Sequence, residues 1–165
     1  MIRMLVSPPQ RAAQVLGVSS LALIAAAFFF EYGMGLHPCQ MCLWQRYAHY
    51  AVIILTALSL LPNVRTDGRM LRIILAGMAL ALAIGAGIAF WHSGVELKLL
   101  PGPSSCSAAL SLDGDVSTLL DQMLASPAVR CDEVPWSFLG LSMANWNLAI
   151  TLAMSIFAIM SLRKR

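Results

Sequence analysis

Charge is what this sequence has least of. Only 12% of its 165 residues are Asp, Glu, Lys or Arg, against 59% hydrophobic. A soluble domain carries charge on nearer a quarter of its residues, because water wets its surface. With a mean hydropathy of +0.75, the apolar excess must face something else, and lipid is the usual answer. The formal net charge is +3. Its bases are scattered between apolar runs and form no stripe, which argues against a nucleic-acid partner. One domain is the natural count at this length, so residues 1–165 are expected to form a single membrane domain.

Long polar stretches are missing from four predominantly apolar runs, at about 14–30, 43–61, 73–91 and 144–162, each near the roughly 20 residues that cross a bilayer core. Unpaired backbone groups are not tolerated there, so each run should be helical. The expected fold is an all-α membrane protein, a four-transmembrane-helix bundle. The first run is long for the h-region of a signal peptide, which would be followed by small cleavage-site residues. Phe28, Phe29, Phe30 and Glu31 stand there instead, so it reads as a span.

Acids are scarce on one side only. Arg3, Arg11, Arg65, Arg69, Arg72, Arg163, Lys164 and Arg165 share a side with the single acid Asp67. The other side holds Glu31, Glu96, Asp113, Asp115, Asp121, Asp132 and Glu133, with Lys98 and Arg130 as its clear bases. The positive-inside rule then places both termini in the cytoplasm and the loops at about 31–42 and 92–143 outside.

No cysteine lies in a span or on the cytoplasmic side. Cys39 and Cys42 fall in the first outer loop, Cys106 and Cys131 in the second. That face is the oxidising compartment of a bacterial envelope, where disulfides persist. Four cysteines suggest two bridges and allow three connectivities; the local ones are Cys39–Cys42 and Cys106–Cys131.

Cys39-Gln-Met-Cys42 follows Pro38 and opens the second span. Free N–H groups and partial positive charge gather at a helix start, and thiolates are favoured there and in C-x-x-C pairs. Arg46 lies one turn after Cys42, on the same face, with a charge it cannot lose. Both features are expected to favour a thiolate at Cys42. The plainer readings are a structural bridge, although so short a loop restrains little chain entropy, and a snorkelling Arg46. Leu43 stands where c-type haem attachment needs His. Cys106 and Cys131 do not form a second C-x-x-C, which weakens a four-thiolate zinc site, and no metal is expected. His37, His49 and His92 read as tolerated interfacial residues, and spacing does not say which meets a ligand.

The second outer loop is too long to lack structure throughout. Val116, Leu119, Leu120, Met123 and Leu124 recur at helical spacing, with Asp113 or Asp115 to cap and Pro127 to stop. They predict a short amphipathic helix, lying on the membrane or packed on the bundle. Cys106 precedes it within a Pro-Gly-Pro-Ser-Ser stretch and Cys131 follows, both reachable by another protein. The stretch Val134–Trp146 is broken by Pro135 and Gly140 and leads back to the interface, with Trp136 and Trp146 as belt residues. Gly77, Ala81 and Gly85 form a close-packing face on the third span.

Taken together, the four spans, Pro38-Cys39-x-x-Cys42 with Arg46, the distant Cys106/Cys131 pair and Trp136-Ser-Phe-Leu-Gly-Leu resemble the bacterial disulfide bond formation protein B (DsbB) family over nearly the whole chain. The resemblance implies a thiol:quinone oxidoreductase of the bacterial inner membrane. Such a protein reoxidises DsbA, a periplasmic thioredoxin-fold dithiol oxidase, and passes two electrons to ubiquinone or menaquinone. It implies that the partner attacks Cys106, that the released Cys131 attacks Cys39, and that Cys42 leaves as a thiolate and meets the quinone. Arg46 and His92 would stand beside the quinone, with Trp91 before His92 where a polar or acidic neighbour is expected. Two other readings stand beside this one. In one, the disulfides only brace the outer loops of a non-enzymatic membrane protein; in the other, the relay serves one dedicated client.

Overall fold

The computed structural model describes residues 9–65, 67–103 and 129–163. Helix α1, Pro9–Phe28, continues through a π-helical turn at Phe29–Gly33. Helix α2 is Gln40–Ser59, a short α3 is Pro62–Arg65, and α4 is Gly68–Glu96. Strands β1, Ser137–Phe138, and β2, Leu141–Ser142, form a hairpin that leads into α5, Met143–Arg163. Three helices are long and apolar enough to cross a membrane: Pro9–Gly33, Gly68–Glu96 and Met143–Arg163. The chain is a helical membrane protein. Helix α2 is 20 residues long, but Gln45, Arg46 and His49 dilute its apolar run.

Helix bounds depart from the apolar runs because a helix ends where its backbone is capped, not where hydropathy falls. Helix α4 begins at Gly68 because the Asp67 carboxylate accepts from the backbone N–H of Arg69 at 2.8 Å and Met70 at 3.3 Å. Helix α2 begins at Gln40 because Cys39 adopts an extended conformation and its sulfur accepts from Cys42 N–H. An N-cap needs that geometry.

Helix α4 is central, packing against both α2 and α5, while α1 packs mainly on α2. Around the N-terminal half of α4 the core is closed by Ala12, Leu16, Val52, Leu75, Met78, Leu82, Met154 and Ala158. Lipid tails give no hydrophobic drive between helices, so close approach of small residues matters. A Cβ at Gly17 would stand 2.4 Å from the Thr56 side chain, and one at Gly85 would stand 2.7 Å from Ala48 Cβ. The small-residue face of α4 thus meets α2.

The Val134–Trp146 stretch is not a plain re-entry. Leu139 and Gly140 both have positive φ, 54° and 78°, which makes a tight hairpin turn. Trp136 stacks on Phe138, and Trp146 Nε1 donates to Phe138 O at 3.1 Å. Trp136 also lies 4.9 Å, centroid to centroid, from Phe30 of the π-helical turn. The two tryptophans tie the hairpin over the end of α1. The amphipathic helix expected around Val116–Leu124, and Cys106 before it, lie outside the described residues.

Candidate active site

Cys39 and Cys42 are free thiols, their sulfurs 2.9 Å apart. Cys39 is buried and Cys42 half-buried. At that separation one sulfur donates a hydrogen bond to the other. The Cys42 N–H donates to Cys39 Sγ at 3.3 Å, and His92 Nε2 lies 3.6 Å from the same sulfur. The hydrogen bond from the Cys42 thiol, helped by His92, holds the Cys39 thiol well below its ordinary range despite burial. In the free dithiol the negative charge therefore belongs to Cys39, whereas the sequence pointed to Cys42. The reason is local. The N-cap sulfur, not the one inside the first turn, receives the backbone N–H.

Gln45 fixes the ring of His92. Its Nε2 lies 3.2 Å from the Met41 carbonyl, which only accepts, and 2.9 Å from His92 Nδ1. Asn147 Nδ2 donates to Gln45 Oε1 at 2.6 Å. Nδ1 thus accepts, and the ring proton sits on Nε2, facing the sulfur. The chain continues inward. His49 Nε2 lies 3.2 Å from Asn147 Oδ1, and His49 Nδ1 lies 3.3 Å from Ser20 Oγ. Every donor in this chain can point the same way, from Ser20 toward Cys39. Cys39, Cys42 and His92 offer three ligand atoms within 4.8 Å of one another. With its proton on Nε2, however, His92 offers the sulfurs a donor rather than a metal-binding lone pair.

Cys131 is fully buried, in one apolar cluster with Cys39, Met41 and Val95. It is disulfide-bonded, and neither Cys39 nor Cys42 is its partner. The next residue anchors it. Asp132 pairs with Lys98 at 2.5 Å and with Arg130 at 2.8 Å. Arg130, then Lys98, hold its carboxyl below the usual carboxylate range.

The dithiol opens onto a cavity of about 440 Å³, walled by apolar residues including Leu23, Phe30, Trp136, Phe138 and Ile150. Arg46 and His92 line it with Cys39 and Cys42. Arg46 does not stand free beside Cys42, because its Nη1 pairs with Glu31 Oε2 at 2.5 Å and its guanidinium lies over Phe28. His37 and His49 also line the cavity. Trp91 turns away, packing on Trp44 and donating to the Pro101 carbonyl at 3.1 Å.

Gln45, Asn147 and Glu96 did not stand out in the sequence. The available signal was a polar side chain inside an apolar run, which by default marks a site. For Glu96 there was also its place one helical turn after His92.

A buried C-x-x-C dithiol at the mouth of an apolar cavity, in a helical membrane protein, defines a membrane thiol-redox protein. The sequence matches the family Disulfide bond formation protein DsbB over residues 9–161. It is similar to Disulfide bond formation protein B of Aromatoleum aromaticum, 34% identical over 87% of this chain and 86% of that one. The protein of that name from Pasteurella multocida is 36% identical over 80% of this chain and 73% of its own. That from Haemophilus influenzae is 32% identical over 82% and 76%. The chain belongs to the DsbB family and is a membrane protein of disulfide bond formation.

Proposed function

We propose that the protein is a thiol:quinone oxidoreductase that reoxidises a DsbA-like periplasmic thiol oxidase and delivers the electrons to ubiquinone or menaquinone. The observation that carries this reading is the Cys39/Cys42 dithiol opening onto an apolar cavity that also holds His92 and Arg46. A volume of about 440 Å³ falls among small-molecule sites of roughly 300–1,000 Å³. Flat aromatic walls and a few polar groups at one end suit a quinone headgroup. When bound, the quinone supplies the two-electron acceptor, and the chain supplies position and charge.

The sulfurs have distinct roles. Cys106 receives the partner's thiolate and Cys131 is released. The burial of Cys131 against Cys39 favours its attack on that sulfur once Cys39 and Cys42 are bridged. Cys42 then leaves as the thiolate, because Cys39 is bonded and cannot hold the charge. A good leaving thiolate speeds exchange. His92 flanks the cavity as a donor, and Arg46 as a guanidinium paired with Glu31.

In this reading α2 is a fourth span. Its buried polar residues Gln45 and His49 face the bundle rather than lipid, so it crosses without exposing them. Residues 1–165 form one domain of the bacterial inner membrane, with both termini cytoplasmic and all four cysteines periplasmic.

The test is anaerobic. Purified protein receives excess reduced dithiol partner and a soluble quinone followed by its absorbance, with wild type beside Cys42→Ser. Reduction by wild type alone is the expected result. Equal turnover by Cys42→Ser, inserted and folded, would sink the proposal. If neither reduces quinone that is shown separately to bind, the bridges only brace the outer loops.

A further inference from the structure

With the charge on the Cys39 sulfur, which faces the Cys42 N–H and His92, closing the Cys39–Cys42 bond releases two electrons and one proton, that of the Cys42 thiol. A quinone-class acceptor takes up two electrons and two protons. One proton is unaccounted for, and among the described residues a buried carboxyl is placed to supply it.

Glu96 lines the same cavity. Its side chain is 5% exposed, and Oε1 lies 3.9 Å from His92 Nε2. Its other oxygen accepts from the Ser142 hydroxyl, itself fixed by Asn145 Nδ2 at 3.0 Å. Among the described residues, Cys39 and Cys42 face it from the start of α2, and His92 from its own helix; Arg46, paired with Glu31, and His37 and His49 line the same cavity, as do Arg130 and Glu133 from the segment before the hairpin, and α5 offers only uncharged partners. Glu133 is two-thirds exposed and lies 3.5 Å from Arg130, so it is open to water. A carboxylate at Glu96 beside a Cys39 thiolate would put two like charges in one apolar pocket, which burial disfavours. When the disulfide forms, the thiolate charge vanishes and that objection goes with it.

We propose that Glu96 is a catalytic acid of this site. It holds a proton while the dithiol is reduced and releases it to the acceptor as the disulfide closes. The inference rests on the quinone-reductase reading above. Before the step the site carries a Cys39 thiolate, a Cys42 thiol and a Glu96 carboxylic acid. After it, the site carries a disulfide and a Glu96 carboxylate, and the acceptor has gained two electrons and two protons. One negative charge is present throughout. Ser142 keeps the carboxyl aimed into the cavity, which ties the hairpin to the chemistry.

The first readout needs no quinone. Infrared difference spectra are taken between dithiol and disulfide forms, the latter made with diamide. Wild type should lose a protonated-carboxyl band on disulfide formation, and Glu96→Gln should lack that band. The second readout is anaerobic single turnover of the pre-reduced protein with decyl-ubiquinone. Glu96→Gln should slow this step about a hundredfold, the usual size of a general-acid contribution. Its rate should rise as pH falls, since solvent must then supply the proton, and Glu96→Asp should recover part of the rate. A Glu96→Gln protein that keeps wild-type rate, pH profile and carboxyl band overturns the proposal. If Glu96→Gln does not fold, a band unshifted in Glu96→Asp overturns it equally. If wild type itself reduces no quinone, the parent reading falls and the infrared band alone decides whether Glu96 holds the proton.

Discussion

The same helices pack in opposite ways at the two ends of the bundle. At one end Leu16, Val52, Leu75, Met78 and Leu82 are buried completely or nearly so, and Gly17 lets α1 come down onto Thr56. At the other end Gln45, His92, Asn147 and the hairpin stand around a cavity of about 440 Å³. In a membrane, helices associate by close packing and interhelical hydrogen bonds. The closed end uses the first of these and supplies stability. The open end uses the second, which fixes side chains while leaving room for a ligand.

The sharpest way to break this contrast is at the closed end. A Gly17→Ala methyl must displace Thr56, whose hydroxyl is held by the Val52 carbonyl at 2.8 Å. Overpacking of this kind costs about 1–3 kcal/mol. Gly87→Ala is the control, since a Cβ there meets nothing within 4 Å and should be neutral. Thermal unfolding in detergent should separate the two variants clearly. Equal midpoints would mean that the closed end is not where stability resides.

At the open end, Gln45→Leu keeps bulk but removes the donor to His92 Nδ1. One neutral hydrogen bond is worth about 0.5–1.5 kcal/mol, so the quinone step should slow about twofold to tenfold, and thermal stability should fall as well because Asn147 Nδ2 loses its acceptor. Nitrogen NMR of the His92 ring should show the second tautomer appearing. A variant slowed with its tautomer unchanged would point to lost packing instead.

What the sequence made legible follows this same division. Hydropathy marks the apolar helices because lipid exposure is written into composition. The Cys39/Cys42 pair stands out because motif and helix start coincide. The polar chain was hidden because its links lie far apart in sequence: Gln45 meets His92 and Asn147 across 47 and 102 residues. The charge on Cys39 was hidden because it depends on which residue takes the N-cap conformation, φ −74° and ψ 170°. The hairpin was hidden because Leu139 occupies a left-handed conformation that its side chain disfavours.

The Cys39 thiolate gives a test by pH. Its folded-state pKa lies below the ordinary thiol value, first because the Cys42 thiol donates to it and then because of His92. The stabilisation of the reduced fold is therefore complete above the unfolded thiol pKa and is lost as pH falls through the lowered folded value. Ultraviolet thiolate absorbance of the reduced protein should persist at neutral pH and below. It should disappear in Cys39→Ser, where Cys42 loses the bond that organises the pair. An absorbance that survives in Cys39→Ser and vanishes in Cys42→Ser would move the charge to Cys42.

The smallest expected effect concerns Arg46, whose charge the sequence offered to Cys42 and the fold gives to Glu31. The pair is partly shielded, with side chains 13% and 17% exposed. The cavity therefore meets a neutralised guanidinium rather than a free cation. Glu31→Gln removes the counter-charge without changing shape. If Arg46 acts through its charge, quinone KM should fall about twofold to threefold with kcat unchanged, in keeping with the roughly 0.2–1 kcal/mol of a partly solvated pair. Arg46→Ala should raise KM. Should both variants raise KM alike, Arg46 serves as a clamp that needs Glu31 to hold its position over Phe28, and the polarity of the open end rests on His92 and the dithiol.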